Sequence, residues 1–411
     1  MSGFLLIKKN IFMKASLLAC ILCMSVVALC SGCGKGTAAC EVSITFAGDV
    51  TMHKKQLVSC YDSKGGYFDV SAGLSYVKGY LSDSTYTVAN LETTLAGPYG
   101  GPVSEVYGYS GYPCFNSPDE LAAGLKDAGV DMLQTVNNHC MDTGIGGLNR
   151  TLDVLDKTGM DHVGTYRNKE EQDALKIIHI GDVAVGIIAC TWEINSNAYV
   201  SDAPYAFNSL HSYDKSYVDK LCRDIDRLKN SEADLVCVLI HWGQEYTEQP
   251  DEDQIRLADA LLEGGADVII GTHPHSIQPV DVRDIKKPDG TTRKGYIFYS
   301  LGDFYSNAVY DHDGVNKDIG YMVKLILDEE TCEIKDVLLI PTYIHADSDS
   351  VETLPILDVL ENTESYTFLT SSQLDRVAWA KTHVLEIASS MNADFELTGD
   401  TLRMCHRGQV P

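Results

Sequence analysis

Apolar residues come in short runs along this chain, and the runs keep ending in the same kinds of residue. Val42, Ile44 and Phe46 alternate with polar neighbours, a strand pattern that runs into Gly48-Asp49. Tyr86 to Ala89 ends in Asn90-Leu91-Glu92, and the run from Val130 to Val136 stops at Asn137-Asn138-His139. Leu235 to Ile240 ends in His241-Trp242-Gly243, and Asp267 to Thr272 ends in His273-Pro274-His275. Helical stripes lie between them: Leu121, Leu125 and Ala128; Ile145, Leu148, Leu152 and Leu155; Val218, Leu221, Ile225 and Leu228; and a stretch from Ile255 to Leu262. Strand, polar turn and helix alternate, which predicts parallel βαβ units. Open sheets of that kind place ligands just beyond the carboxyl ends of their strands.

Other segments fill in the outline. Residues 72–81 read as a helix. Ser117, Pro118 and Glu120 have the spacing of an N-cap, a first helical position and a capping box, opening a helix that runs to Gly129. Leu175–Ile180 and Val183–Cys190, joined by Gly181-Asp182, read as a hairpin. A strand at Tyr296–Ser300 leads to Asp303, which reads equally as a ligand or as part of a structural turn. Met322–Leu327 and Glu333–Ile340 form an antiparallel pair, and after Ile344 the pattern weakens to one helix (Gln373–Ala388) and a strand near Phe395. Residues 97–113 have no period, so they read as a long loop whose tyrosines line a cleft or pack the loop itself.

The chain has 411 residues, 45% of them apolar, enough for a large core. Its formal net charge of -26 argues against nucleic acid as a partner. The first residues are a targeting segment rather than fold. Lys8, Lys9 and Lys14 flank or precede an apolar run, Ala15 to Leu29, of signal-peptide length. The run ends at Cys30-Ser31-Gly32-Cys33, which resembles a bacterial lipoprotein signal; an ordinary cleaved signal is the alternative. The expected division is 1–33 signal and lipobox, 34–40 tether, 41–345 main domain and 346–411 an extension packed on it. The mature chain would then sit on the extracellular face of the cell membrane, lipid-anchored at Cys33. Of thirteen cysteines, Cys20, Cys23, Cys30 and Cys33 are spent on the signal and lipid, so 13 − 4 leaves nine, an odd number. Cys40, Cys60 and Cys114 are possible disulfide partners, whereas Cys190 and Cys237 lie in apolar strand patterns and read as buried.

The residues at the strand ends are oxygen and nitrogen ligands, suited to Mn, Fe, Zn or Mg. A single polar ending is an ordinary loop cap, but five on one chain favour a shared site. Asp49, Glu92, Asn138, His241, His273 and His275 are the candidate ligands, with Glu92 or Asp49 available to bridge two ions. An extended backbone would splay His273 and His275, and a turn after Gly271 would bring both to one metal pair. His139 follows Asn138 directly and is placed to protonate a leaving group, with Asp142 to orient it. Asn90 and Arg167 are candidates for holding substrate, and His53 is a further possible ligand after Asp49. No nucleophile elbow and no phosphate-binding Gly-rich loop is present.

Taken together, Gly48-Asp49, Asn90-Leu91-Glu92, Phe115-Asn116-Ser117-Pro118, Asn137-Asn138-His139, His162-Val163-Gly164 with Arg167-Asn168, His241-Trp242-Gly243 with Glu245-Tyr246, His273-Pro274-His275 and Tyr299-Ser300-Leu301-Gly302 resemble the CapA family of poly-γ-glutamate capsule synthesis, over about Val42 to Ile344. That family is similar to calcineurin-like metallophosphoesterases. The resemblance implies a four-layer αββα sandwich with a two-metal site. Asp49 and His275 would sit on one ion, Asn138, His241 and His273 on the other, Glu92 near the bridge, and His139 as the acid. The chain departs from the phosphoesterase pattern with Thr51 in place of a histidine and with Asn90-Leu91-Glu92 in place of Gly-Asp.

Two functions fit. One is an exported metal-dependent hydrolase or transferase acting on an anionic polymer such as poly-γ-glutamate, or on a phosphoester. The other is a non-catalytic surface assembly factor of the capsule machinery, with a vestigial or structural metal site.

Overall fold

In the computed structural model, residues 41–195, 203–210, 214–287, 289–307 and 314–405 are described. The signal, lipobox and tether, with Cys33 and Cys40, lie outside these residues. In chain order the elements are β1 (Val42–Val50), α1 (Lys54–Ser59), β2 (Tyr61–Asp62), β3 (Tyr67–Phe68), α2 (Ser71–Leu74), α3 (Lys78–Ser82), β4 (Tyr86–Leu91), α4 (Glu120–Ala128), β5 (Met132–Gln134), α5 (Gly144–Thr158), β6 (Asp161–Val163), α6 (Lys169–Asp173), β7 (Lys176–Ile180), β8 (Val183–Thr191), α7 (Lys215–Lys229), β9 (Leu235–His241), α8 (Glu252–Glu263), β10 (Val268–Thr272), β11 (Val280–Lys286), β12 (Thr292–Phe298), β13 (Asp303–Tyr305), β14 (Ile319–Asp328), β15 (Glu333–Ala346), β16 (Val351–Pro355), α9 (Ile356–Glu361), α10 (Ser371–Ala388), β17 (Phe395–Thr398) and β18 (Thr401–Met404).

Two large sheets face each other. The first runs β17-β18-β15-β14-β1-β4-β5-β6, with β13 beside β1 and β16 beside β15; the second runs β11-β12-β10-β9-β8-β7. In the first sheet β1, β4, β5 and β6 are parallel, and in the second β8, β9, β10 and β12 are parallel. β9 shows how the layers arise. Its Cys237 and Leu239 join Ile44, Phe46, Val88 and Met132 in the core between the sheets. Its Val236, Val238 and Ile240 point the other way, to Ile225 and Leu228 of α7 and Leu257 and Leu261 of α8. This period of two buries both faces of the strand and accounts for its continuous apolar run. On the outer face of the first sheet, Leu57, Leu74, Leu81, Leu121 and Leu125 bring α1 to α4 onto Ala47, Val50, Ala89 and Leu91. The order is therefore helix, sheet, sheet, helix, as the sequence led us to expect.

Several local readings give way to tertiary contacts. The helix expected from Ser117 begins only at Glu120, and Asp119 at its cap makes no side-chain cap bond. The hydroxyl of Ser117 is instead 2.8 Å from that of Thr93, and its amide donates to the Thr94 carbonyl. The helix expected over 72–81 is two short ones, α2 and α3. Beyond Ile344 the weak pattern conceals β16 and β18, both paired with β15, while Val377, Ala380 and Val384 of α10 enter the core between the sheets. Cys60 and Cys114 are free thiols, as is every cysteine among the described residues. No helix among those residues is long and apolar enough to cross a membrane.

Within each sheet, neighbouring backbones at the site end approach too closely for a side chain. A Cβ on Gly48 would lie 1.9 Å from the Gly302 carbonyl oxygen, and one on Gly271 would lie 2.0 Å from that of Tyr299. Gly48→Ala should therefore force β1 off β13 and cost about 3 kcal/mol. Gly79→Ala in α3 meets no atom within 4 Å and should stabilise by about 0.5–1 kcal/mol. Urea midpoints of the two variants should move in opposite directions.

Candidate metal centre

Five chain segments meet where the parallel strands end. β1 and β4 pair in register so that Asp49 faces Asn90, and β9 and β10 pair so that His241 faces Thr272. Beyond β4 comes Glu92, beyond β5 comes Asn138, and beyond β10 come His273 and His275. The last two have φ of 101° and 52°, a left-handed backbone that side chains other than glycine rarely adopt. That turn brings their rings to 6.2 Å centroid to centroid rather than to opposite faces.

The contacts are tightest around His241. Its Nε2 is 3.0 Å from Asn138 Oδ1, 3.1 Å from His273 Nδ1 and 3.4 Å from Glu92 Oε1. Donors held about 2.0–2.1 Å from one tetrahedral ion lie about 3.4 Å apart, so this spacing suits a single small cation. A second group, Asp49, Glu92 and His275, shares Glu92 with the first. There His275 Nδ1 is 3.7 Å from Asp49 Oδ2, and His275 Nε2 is 3.7 Å from Glu92 Oε1. Glu92 is fully buried, and neither of its carboxylate oxygens has a hydrogen-bond partner among the described residues. An orphaned buried carboxylate between two histidine-bearing groups is what a bridging position requires. The residues present thus fit divalent cations.

Protein groups hold the ligands from behind. Asn90 Nδ2 donates to Asp49 Oδ1 at 2.6 Å, while Asn90 Oδ1 accepts from Asn137 at 3.2 Å. The His273 amide donates to Asp49 Oδ2 at 3.1 Å. His241 Nδ1 lies 3.0 Å from the Thr272 hydroxyl, and His275 Nδ1 lies 2.8 Å from Asp303 Oδ1. Asp303, being a carboxylate, accepts from Nδ1–H of His275 and leaves the other nitrogen of that ring bare.

Burial dominates the electrostatics. It pushes the Asp49 carboxyl up to about 6, helped by Asp303 and opposed by His275. It holds the Glu92 carboxyl well above its ordinary range. Burial with neighbouring imidazoles drops His273 to about 3 and His241 well below its usual value. For His275, burial opposes the charge but Glu92, Asp303 and Asp49 outweigh it, so its pKa is raised. Two neutral imidazoles and two carboxyls short of positive charge form a donor set prepared for cations.

His139 adjoins this group. Its Nδ1 is 2.7 Å from Asp142 Oδ2, which also accepts the Phe115 amide at 2.7 Å. Its Nε2 is 3.2 Å from Asn195 Nδ2, and its ring meets Phe115 edge-on at 4.7 Å. Asn195 carries no signal in the sequence; it arrives through tertiary contact alone, its amide donating to the Asn138 carbonyl.

Two residues assigned to substrate take other places. Asn90 lies buried behind the ligands with both ends of its amide bound to protein. Arg167 pairs with Asp153, Asp156 and Glu171, flanking a cavity lined by Tyr166, Leu175, Ile187 and Asn208. His53 caps α1 and packs its ring edge-on against Phe115 at 5.1 Å; burial lowers its pKa to about 4. The Thr51 hydroxyl donates to Ser306 Oγ at 2.9 Å.

Known proteins share this chain's pattern. A family model described as bacterial capsule synthesis protein PGA_cap matches residues 43–308. The capsule biosynthesis protein CapA of Bacillus anthracis is 27% identical over 350 residues, covering 83% of this chain and 76% of that protein. The PGA biosynthesis protein CapA of Bacillus subtilis (strain 168) is 27% identical over 275 residues, 64% of this chain and 63% of that protein. Among solved structures, TT1561 of Thermus thermophilus aligns over 74% of this chain and 99% of its own at 9% identity, with a TM-score of 0.35.

Cation binding should be visible without any substrate. Chelator-treated protein should gain thermal stability on adding Mn²⁺ or Zn²⁺, by about 2.7 kcal/mol at a hundred times the dissociation constant. Glu92→Gln, close in shape, should abolish the rise while leaving the metal-free melt nearly unchanged. An equal rise in both proteins would place the ions elsewhere.

Proposed function

Since the chain belongs to the PGA_cap family of bacterial capsule synthesis proteins, we propose that it serves poly-γ-glutamate capsule synthesis as a metal-dependent hydrolase or transferase. The observation that carries this reading is the pair of donor groups sharing Glu92, with His139 beside them on Asp142. Glu92, Asn138, His241 and His273 would hold one divalent cation, and Asp49, Glu92 and His275 the other. A bound cation pair supplies Lewis acidity and lowers the pKa of water. The chain's own residues do the rest. Asp142 accepts from Nδ1–H of His139 and aims Nε2 at the leaving group, and the ring, when protonated at both nitrogens, gives up its Nε2 proton there. In the neutral ring Nε2 accepts from Asn195 Nδ2, 3.2 Å away, a contact that gives way when the ring takes up its second proton and substrate enters. With a body charge of -26, the cations also provide the attraction that an anionic polymer or phosphoester needs.

In this reading the mature chain starts at Cys33 and is held by lipid on the outer face of the membrane. The support is the basic start, the short apolar run and Ser31-Gly32-Cys33. Mass spectrometry of the mature N-terminus should find a lipidated Cys33; an unmodified residue further along would refute the anchor.

Thr51, tied to Ser306, favours a second reading, a surface assembly factor whose metal is structural. Two variants separate the readings. His139→Ala should keep its metal and lose about 10²–10⁴-fold in turnover on phosphodiester or poly-γ-glutamate substrates. His273→Ala should lose metal and turnover together. A metal-loaded, stable parent with no turnover on either substrate class would favour the assembly factor.

A further inference from the structure

The two donor groups are not equally prepared. Around His241 the donors already stand 3.0–3.4 Å apart. In the second group His275 Nε2 is 3.7 Å from Glu92 Oε1 while its Nδ1 lies toward Asp303 and Asp49, and Thr51, two residues after Asp49, turns its hydroxyl to Ser306. What directs His275 is therefore decisive for any ion there. Its backbone is left-handed and its ring lies nearly parallel to Tyr246 at 6.0 Å, neither of which chooses between its two nitrogens. The choice falls to Asp303, whose Oδ1 lies 2.8 Å from Nδ1.

Asp303 is built into that place. β13 pairs parallel with β1, with Asp303 opposite Asp49. The pairing depends on Gly48 and Gly302, whose backbones approach too closely for a side chain on Gly48. Asp303 is 3% exposed, so its carboxylate has little water to turn to. A carboxylate accepting from Nδ1–H leaves Nε2 bare, and in this ring Nε2 is the nitrogen that faces Glu92.

We propose that Asp303 is the positioning residue of the second metal position, holding His275 so that Nε2 is presented to the cation. The inference rests on the two-cation reading above. Chelator-treated parent, Asp303→Asn and Asp303→Ala proteins would be titrated with Mn²⁺ by calorimetry. Bound ions would be counted by native mass spectrometry, with a melt of each metal-free protein.

The parent should take two equivalents. In Asp303→Ala the second should bind about 10–100-fold more weakly while the first is unchanged. Asp303→Asn should fall between, because its amide oxygen can accept the same hydrogen bond without the charge. If the parent takes two ions and Asp303→Ala keeps both at parental affinity, the assignment is overturned and the two-cation reading survives. If Asp303→Ala weakens both ions alike and melts lower without metal, Asp303 is structural and the assignment is again overturned. A parent that takes a single ion overturns the two-cation reading and this assignment with it.

Discussion

Glu92 is a carboxylate that water cannot reach and that has no hydrogen-bond donor among the described residues, only the imidazole nitrogens of His241 and His275 at 3.4 and 3.7 Å. Most of the site's arrangement can be understood as the surroundings of that one group. An unpaired buried carboxylate is costly enough that it takes a proton or finds a cation. Asp49 and Asp303 crowd the same space and deepen the need. Of the nearby imidazoles only His275 is driven towards positive charge, while His241 and His273 are kept neutral. The protein side is short of positive charge in a place where nitrogen and oxygen atoms converge, and divalent ions satisfy both conditions.

The backbone carries a matching tension. His273, His275 and Tyr246 all have positive φ, and non-glycine residues held there cost about 1–3 kcal/mol each. At the site this strain falls on the turn that delivers two histidines and on the tyrosine whose ring lies against one of them. Trp242 anchors the region from below, its indole N–H donating to the Tyr299 carbonyl at 2.8 Å. A rigid floor under a strained rim preserves ligand directions that a relaxed loop would lose.

The sequence reveals the strand ends well, because each is an abrupt change from apolar period to ligand-type residues. The burial of β9 on both faces and the helix stripes of α5, α7 and α8 are equally plain in it. Less legible are features decided by partners distant in the chain. Ser117 has every local mark of a cap, yet Thr93 and Thr94 claim it. Asn90 looks like a group for substrate until Asp49 and Asn137 are seen on its amide. The strands β16 and β18 carry weak patterns of their own because their register is dictated by β15. Asn195 could not be found by spacing, since the strand ends that organise the site do not include it.

The first sheet also has an unusual history written into its strand order. Ile44 to Phe46 pair on one side with Tyr86 to Val88, which emerge soon after, but Val42 to Phe46 pair on the other side with Val323 to Leu327. β15 and β18 must then close over β14. A chain growing or threading from its N-terminus therefore holds its central strand half-paired until nearly all of it has arrived. Loop closure over such separations is slow, and an open strand edge invites wrong partners in the interval. The same connectivity leaves the first sheet incomplete until its last strands come into reach.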